Sequence, residues 1–179
     1  MTEISNVSTA HNSPIVIKLK DKTEILNAIT CVLHTIIQDN ENLDQLNHYS
    51  KPLKDIFSGD NIPMISIENF LKRLIKYSNI EESTLIISLI YMDRYLDSTF
   101  KYLTKFNVHR LLFTSIVMAI KYNEDEIFTN SLYAKMGGVK LEELASFEID
   151  FLKGINYCLF IDDEVFERYE SYINKFCSI

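Results

Sequence analysis

Three charged residues occupy positions where apolar residues are expected. Lys121 closes the run "VMAIKYNEDE", four residues after Val117 and three after Met118. Glu148 stands four residues after Leu144 and four before Leu152. Asp93 follows Leu89 and Ile90 and precedes Leu96 at the same helical intervals. Residues three or four apart share one face of a helix. A charge in such a stripe is costly to bury unless it is paired or hydrogen-bonded. The chemistry these residues offer is ion pairing and hydrogen bonding at the margin of apolar surface. Each also has a plain reading. Lys121 complements its helix dipole and snorkels, Glu148 is a solvated edge residue, and Asp93 is half of an internal salt bridge.

Bond-making chemistry has little support. GxSxG, a glycine-rich phosphate loop, HExxH and CxxC are all missing. His11, His34, His48 and His109 are scattered, and His109 is expected as a first-turn surface residue. Cys31, Cys158 and Cys177 are too few and too widely spaced for a disulfide framework or a zinc site. They read as reduced thiols, two of them filling the core. The chain is therefore expected not to be an enzyme, with no cofactor, no metal and no small-molecule substrate. The net charge of -7 and the lack of a basic cluster argue against a nucleic-acid partner. The longest nearly apolar runs, "LIISLIYM" and "LLFTSIVMAI", fall short of the roughly 18 residues a spanning helix needs, so no membrane is expected. With no basic-then-apolar leader, the expected location is cytoplasmic and/or nuclear.

The elements that must position these charges are all helical. With 179 residues, four Gly and three Pro, there is room for a core and little loop material. Residues 1–20 are polar and read as a flexible segment. "TEILNAITCVLHTIIQD" carries Ile25, Ile29, Val32, Leu33, Ile36 and Ile37 at helical spacing from near Thr23. Residues 38–65, with Pro52, Gly59 and Pro63, read as a long irregular connection. Ser66 caps "IENFLKRLIKY". "EESTLIISLIYMDRYL" and "NVHRLLFTSIVMAIKY" are apolar nearly all round, and the second should be the central helix. Asn107 is its expected N-cap. "NSLYAKMGG" is a short helix expected to be capped by Asn130 and to end at Gly137 in a left-handed cap. "KLEELASFEIDFLKGIN" places Leu141, Leu144, Phe147, Phe151, Leu152 and Ile155 on one stripe. "DDEVFERYESYINKF" has acids in its first turn and Lys175 in its last.

Three of these segments carry a resemblance. "SIENFLKRLIKYSNIEESTLIISLIYMDRYL", "NVHRLLFTSIVMAIKYNEDEIFTNSLYAKMGGV" and "LEELASFEIDFLKGINYCLFI" resemble the cyclin box. "NVHRLL" and "YAKMGGV" are similar to the P-type and U-type, phosphate-signalling cyclins. The likeness covers roughly residues 62–170. It implies an all-α fold: a single five-helix cyclin box over 62–160, an N-terminal helix and connection over 21–61, and a C-terminal helix over 161–179. It implies a regulatory subunit that binds and allosterically activates a cyclin-dependent protein kinase, in the cell cycle or nutrient signalling. In cyclins, the lysine ending the third box helix pairs with a glutamate of the fifth, and the pair holds a kinase segment. Lys121 and Glu148 match those positions. The expected kinase-binding residues are thus Lys121 and Glu148 with Tyr122, Ile120 and Phe151 beside them, and Phe113 and Ile116 as further candidates. Asp93, followed by Arg94, matches the aspartate of the cyclin "DR" motif and is expected to be a buried structural acid.

Two departures stand out. No arginine lies between Ile62 and Phe70 to hold Asp93, so Lys72, Arg73 or another basic group must pair with it, or it stays unpaired. The chain has no Trp, so the substrate-docking site of cell-cycle cyclins is not expected. The acids Glu124, Asp125 and Glu126 read as a solvated turn or a contact for a basic partner surface. The rival reading is a cyclin-fold scaffold that binds a non-kinase partner. Such scaffolds usually carry two repeats, and the DNA-binding ones are basic, whereas this chain has one repeat and is acidic. A small helical enzyme is a more distant third.

Overall fold

The central element is the helix whose circumference is apolar. In the computed structural model, which describes residues 21–47 and 55–176, α4 (Val108–Asn123) is buried from Leu111 to Ile120 without interruption. It packs against α2 (Ile67–Ser78), α3 (Glu82–Thr99), α5 (Asn130–Gly137) and α6 (Leu141–Gly154). Thr114 and Ser115, both fully buried, return their hydroxyls to the carbonyls of Arg110 and Leu112, at 2.8 Å each. That lets small polar residues line a crowded helix without leaving orphaned groups. Outside this five-helix set lie α1 (Lys22–Asn47) and α7 (Asp163–Phe176), which pack against each other and against α3. Among the described residues there are seven helices and no strand, an all-α architecture.

The helix boundaries refine the sequence expectations. Ser66 caps α2 by accepting from the Asn69 N–H at 3.2 Å. α1 runs on to Asn47, so the expected irregular connection begins later. Residues 1–20, 48–54 and 177–179 lie outside the described residues, and with them the expected N-terminal segment and Cys177. Asn107 does stand at the start of α4, but its side chain turns back: Oδ1 accepts from the Thr104 N–H at 2.8 Å, and Nδ2 donates to the Tyr102 carbonyl at 2.9 Å. Thr129, not Asn130, caps α5.

The paired glycines at the end of α5 divide two jobs. Gly138 takes the left-handed conformation, φ 69°, that had been expected of Gly137. Gly137 is helical and lets the Phe113 ring approach, since a Cβ there would collide with ring atoms. Phe113 and Ile116, expected as candidate partner contacts, are both core residues.

Two further expectations change. Cys31 and Cys158 are exposed, not core filler. His109 is half-buried, with Nε2 2.9 Å from the Ile65 carbonyl and its ring edge-on to Phe70 at 5.2 Å. Its Nδ1 is buried without a partner. Desolvation lowers its pKa, and the nearby Arg73 adds to that against the opposing Ile65 hydrogen bond. The ring is therefore neutral near pH 7, with Nε2–H donating to Ile65.

Candidate functional site

The apolar stripe of α6 decides where Glu148 goes. Leu144, Phe147 and Phe151 are buried against the core. Glu148, next to Phe147, then lies at the edge of the stripe and faces the last turn of α4. There Lys121 donates from Nζ to Glu148 Oε1. The side chains are 23% and 14% exposed respectively, so this is a largely desolvated pair open on one side. A third element joins it: Asn130, the first residue of α5, donates from Nδ2 to Glu148 Oε2 at 3.3 Å. The carboxylate is thus held by α4 and α5 at once. Nothing in the sequence pattern marked Asn130 for this, because an Asn at a helix start reads first as a cap.

The loop between α4 and α5 is anchored next to this cluster. Glu124 Oε1 accepts from the Glu81 N–H at 2.9 Å, at the start of α3. A carboxylate at that end suits the helix dipole. Of the acids "EDE", Glu124 thereby has an internal role, while Asp125 and Glu126 are exposed. The Tyr133 hydroxyl accepts from the Phe128 N–H at 3.0 Å, and burial raises the Tyr133 pKa and keeps it protonated.

The apolar residues expected beside the pair separate into two groups. Tyr122 is 53% exposed and stands at the surface. Ile120 and Phe151 are 1% and 0% exposed. Their expected role as contact residues does not fit this placement, because Phe151 stacks on Tyr95 at 5.2 Å inside the core and Ile120 faces the interior of the helix set. The exposed apolar residues near the pair in sequence are instead Ile127, Phe128, Leu132 and Ile149. Core and surface residues of one type cannot be told apart by periodicity when a helix is apolar all round.

Asp93 also departs from expectation. It is exposed, and among the described residues no basic group forms an ion pair with it: the Tyr169 hydroxyl of α7 donates to Asp93 Oδ2. Lys72 pairs with Glu68 at 2.5 Å, and Arg73 lies over the Phe70 ring at 5.1 Å. Desolvation, then the Asp93 hydrogen bond, raises the Tyr169 pKa, so the hydroxyl remains a donor. Asp93 is a surface tie between α3 and α7. Its neighbour Arg94 fixes the segment after α6, donating from Nη1 to the carbonyls of Cys158 at 2.9 Å and Phe160 at 2.8 Å.

Among the described residues, no group of three or more His, Cys, Asp or Glu is placed to hold a metal, and no helix is long and apolar enough to cross a membrane.

Four helices gathered about a central one, with a further helix before and another after them in the chain, define the all-helical cyclin-box class. A family model for cyclins matches residues 22–159. The chain belongs to the cyclin family, and it is similar to P-type and U-type members. Cyclin-P3-1 of Oryza sativa subsp. japonica is 37% identical over 153 residues, covering 84% of this chain and 64% of the relative. Cyclin-U4-3 of Arabidopsis thaliana is 34% identical over 152 residues, 84% of this chain and 67% of the relative. Cyclin-U4-1 of Arabidopsis thaliana is 30% identical over 154 residues, 86% of this chain and 76% of the relative. The match therefore spans somewhat under two thirds of the first of these proteins.

Proposed function

We propose that this chain is a regulatory subunit that binds a cyclin-dependent protein kinase and activates it allosterically, in the cytoplasm or nucleus. The observation that carries the reading is the Lys121–Glu148 pair, held at an open edge between α4 and α6. An ammonium has three donors, and one is spent on Glu148. The remaining donors can take carbonyls of an extended partner segment, and the free lone pairs of Glu148 can take its N–H groups. Tyr122 and Ile149, each next in sequence to one member of the pair, are exposed and offer apolar contact. A partner gripped there would pack its regulatory helix against this surface. In protein kinases the position of that helix controls formation of the internal Lys–Glu pair that catalysis requires. On this reading the kinase supplies the catalytic groups and the chain supplies none.

The test uses the full chain and a panel of recombinant cyclin-dependent kinases. At least one should bind and show higher phosphoryl transfer in its presence. Lys121→Ala combined with Glu148→Ala should abolish that binding while the variant stays folded. Normal binding by the folded double variant would overturn the site, and lack of any kinase bound or activated would overturn the function.

A further inference from the structure

We infer that Asn130 is a positioning residue for the partner-binding pair: it sets the orientation of the Glu148 carboxylate that Lys121 engages. This rests on the reading of that pair as the kinase-binding handle. The argument is geometric. Glu148 accepts from Lys121 through Oε1 and from Asn130 through Oε2, the second at 3.3 Å. A carboxylate held through one oxygen only can swing about its terminal torsion, which is soft and roughly two-fold. A donor on the other oxygen removes that freedom and leaves the carboxylate plane spanning α4 and α5.

Asn130 is itself held. It follows Thr129, whose hydroxyl and carbonyl cap α5, the carbonyl accepting from the Leu132 N–H at 2.9 Å. It stands two residues after Phe128, whose N–H is bound by Tyr133 at 3.0 Å. The amide therefore approaches Glu148 from an ordered helix start, not from a free loop. Its chemistry is also specific. A neutral donor orients the carboxylate without competing with a partner for the charge of Lys121. A second cation there would divide the carboxylate's charge between two ammonium groups, and a second carboxylate would repel it. Asn130 in this way fixes how much of the pair's charge faces outward, which a partner's backbone groups would read.

The experiment measures affinity for the kinase that binds the unaltered full chain, together with the melting temperature of every variant. Asn130→Ala should weaken binding roughly 5- to 10-fold, about what one typical net hydrogen bond supplies. Asn130→Asp should weaken it more, because two carboxylates then face each other. Asn130→Gln keeps a neutral amide donor on α5 and leaves Lys121 and Glu148 unaltered. Its affinity should lie within a few fold of the unaltered chain. A purely structural role would move the melting temperature and not this pattern of loss and rescue. Unchanged binding by Asn130→Ala and Asn130→Asp, where Glu148→Ala abolishes it, would overturn the role of Asn130 and leave the handle standing. If Glu148→Ala also binds normally, the handle itself is refuted and the inference falls with it. Asn130→Gln binding no better than Asn130→Asp would overturn it too.

Discussion

Phe151→Ala separates core from contact surface at this site. The ring is fully buried, stacked on Tyr95 at 5.2 Å with planes 4° apart, and edge-on to Phe57 at 6.5 Å. Phe57 in turn packs between Tyr95 and Phe147, with centroids at 5.3 Å from both. Removing the ring takes away its transfer free energy and leaves a cavity walled by rings that cannot collapse into it, a loss of about 3–5 kcal/mol. For a chain of this size each kcal/mol shifts the melting temperature by about 2–4 °C, so a fall of roughly 6–20 °C is expected. Tyr122→Ala removes a ring already half in solvent and should change stability by less than about 0.5 kcal/mol, while lowering affinity for a kinase partner. The assay is thermal and denaturant unfolding of both variants, with affinity measured well below each midpoint. If Phe151→Ala melted like the unaltered chain and lost only binding, the ring would belong to the interface and the core described here would be wrong.

Four other outcomes follow from particular residues. Tyr169→Phe and Asp93→Asn should each lower stability by about 0.5–1.5 kcal/mol, with a double variant no worse than either single one; additive losses in a denaturant series would show that the two side chains do not act as a pair. His109 has a folded pKa below its unfolded value of about 6.5, so the unfolded chain binds the extra proton first. The stability that neutral His109 contributes is complete above about pH 6.5 and is lost as pH falls from there through the folded pKa. His109→Gln should flatten that part of the stability–pH profile, and an unchanged slope would assign it to other groups. Phe100, 91% exposed at φ 53°, occupies the left-handed position after α3 that glycine favours, so Phe100→Gly should raise stability by about 1 kcal/mol. Gly137→Ala should lower it by about 1–3 kcal/mol through collision with Phe113, and matched melting curves would detect a reversal of either sign.

Much of the fold is legible in the apolar periodicity. The stripe of Ile67, Phe70, Leu71 and Leu74 gives α2 and its buried face, and Ser66 gives its start. The unbroken apolar surface of α4 marks it as central. What periodicity misreads are places where one residue serves a neighbour from another element. Asn130 reads as a cap yet reaches Glu148, and Asn107 reads as a cap yet folds back onto Tyr102 and Thr104. Gly137 reads as a left-handed terminus, but Phe113 leaves room for no side chain there. His109 reads as surface because it opens a helix, yet α2 covers it with Phe70. Residues 38–47 read as loop because they are polar, but a helix whose other face already packs on α7, α2 and α3 can carry polar residues for further turns.

The sequence by itself determined the helical class, the central helix and the three misplaced charges, because spacing along a helix dictates which residues share a face. It also set Lys121 and Glu148 apart as residues that need partners. The resemblance already pairs Lys121 with Glu148; tertiary structure alone decided what else joins them and what holds Asp93. Lys121 meets Glu148 because α4 and α6 cross there, Asn130 completes the carboxylate because α5 begins beside it, and Asp93 finds a tyrosine of α7 instead of an arginine. It also decided that Phe151 and Ile120 turn inward while Tyr122 stays out. Periodicity specifies a face, but burial depends on what packs against that face, and this is settled only when all the helices are in place.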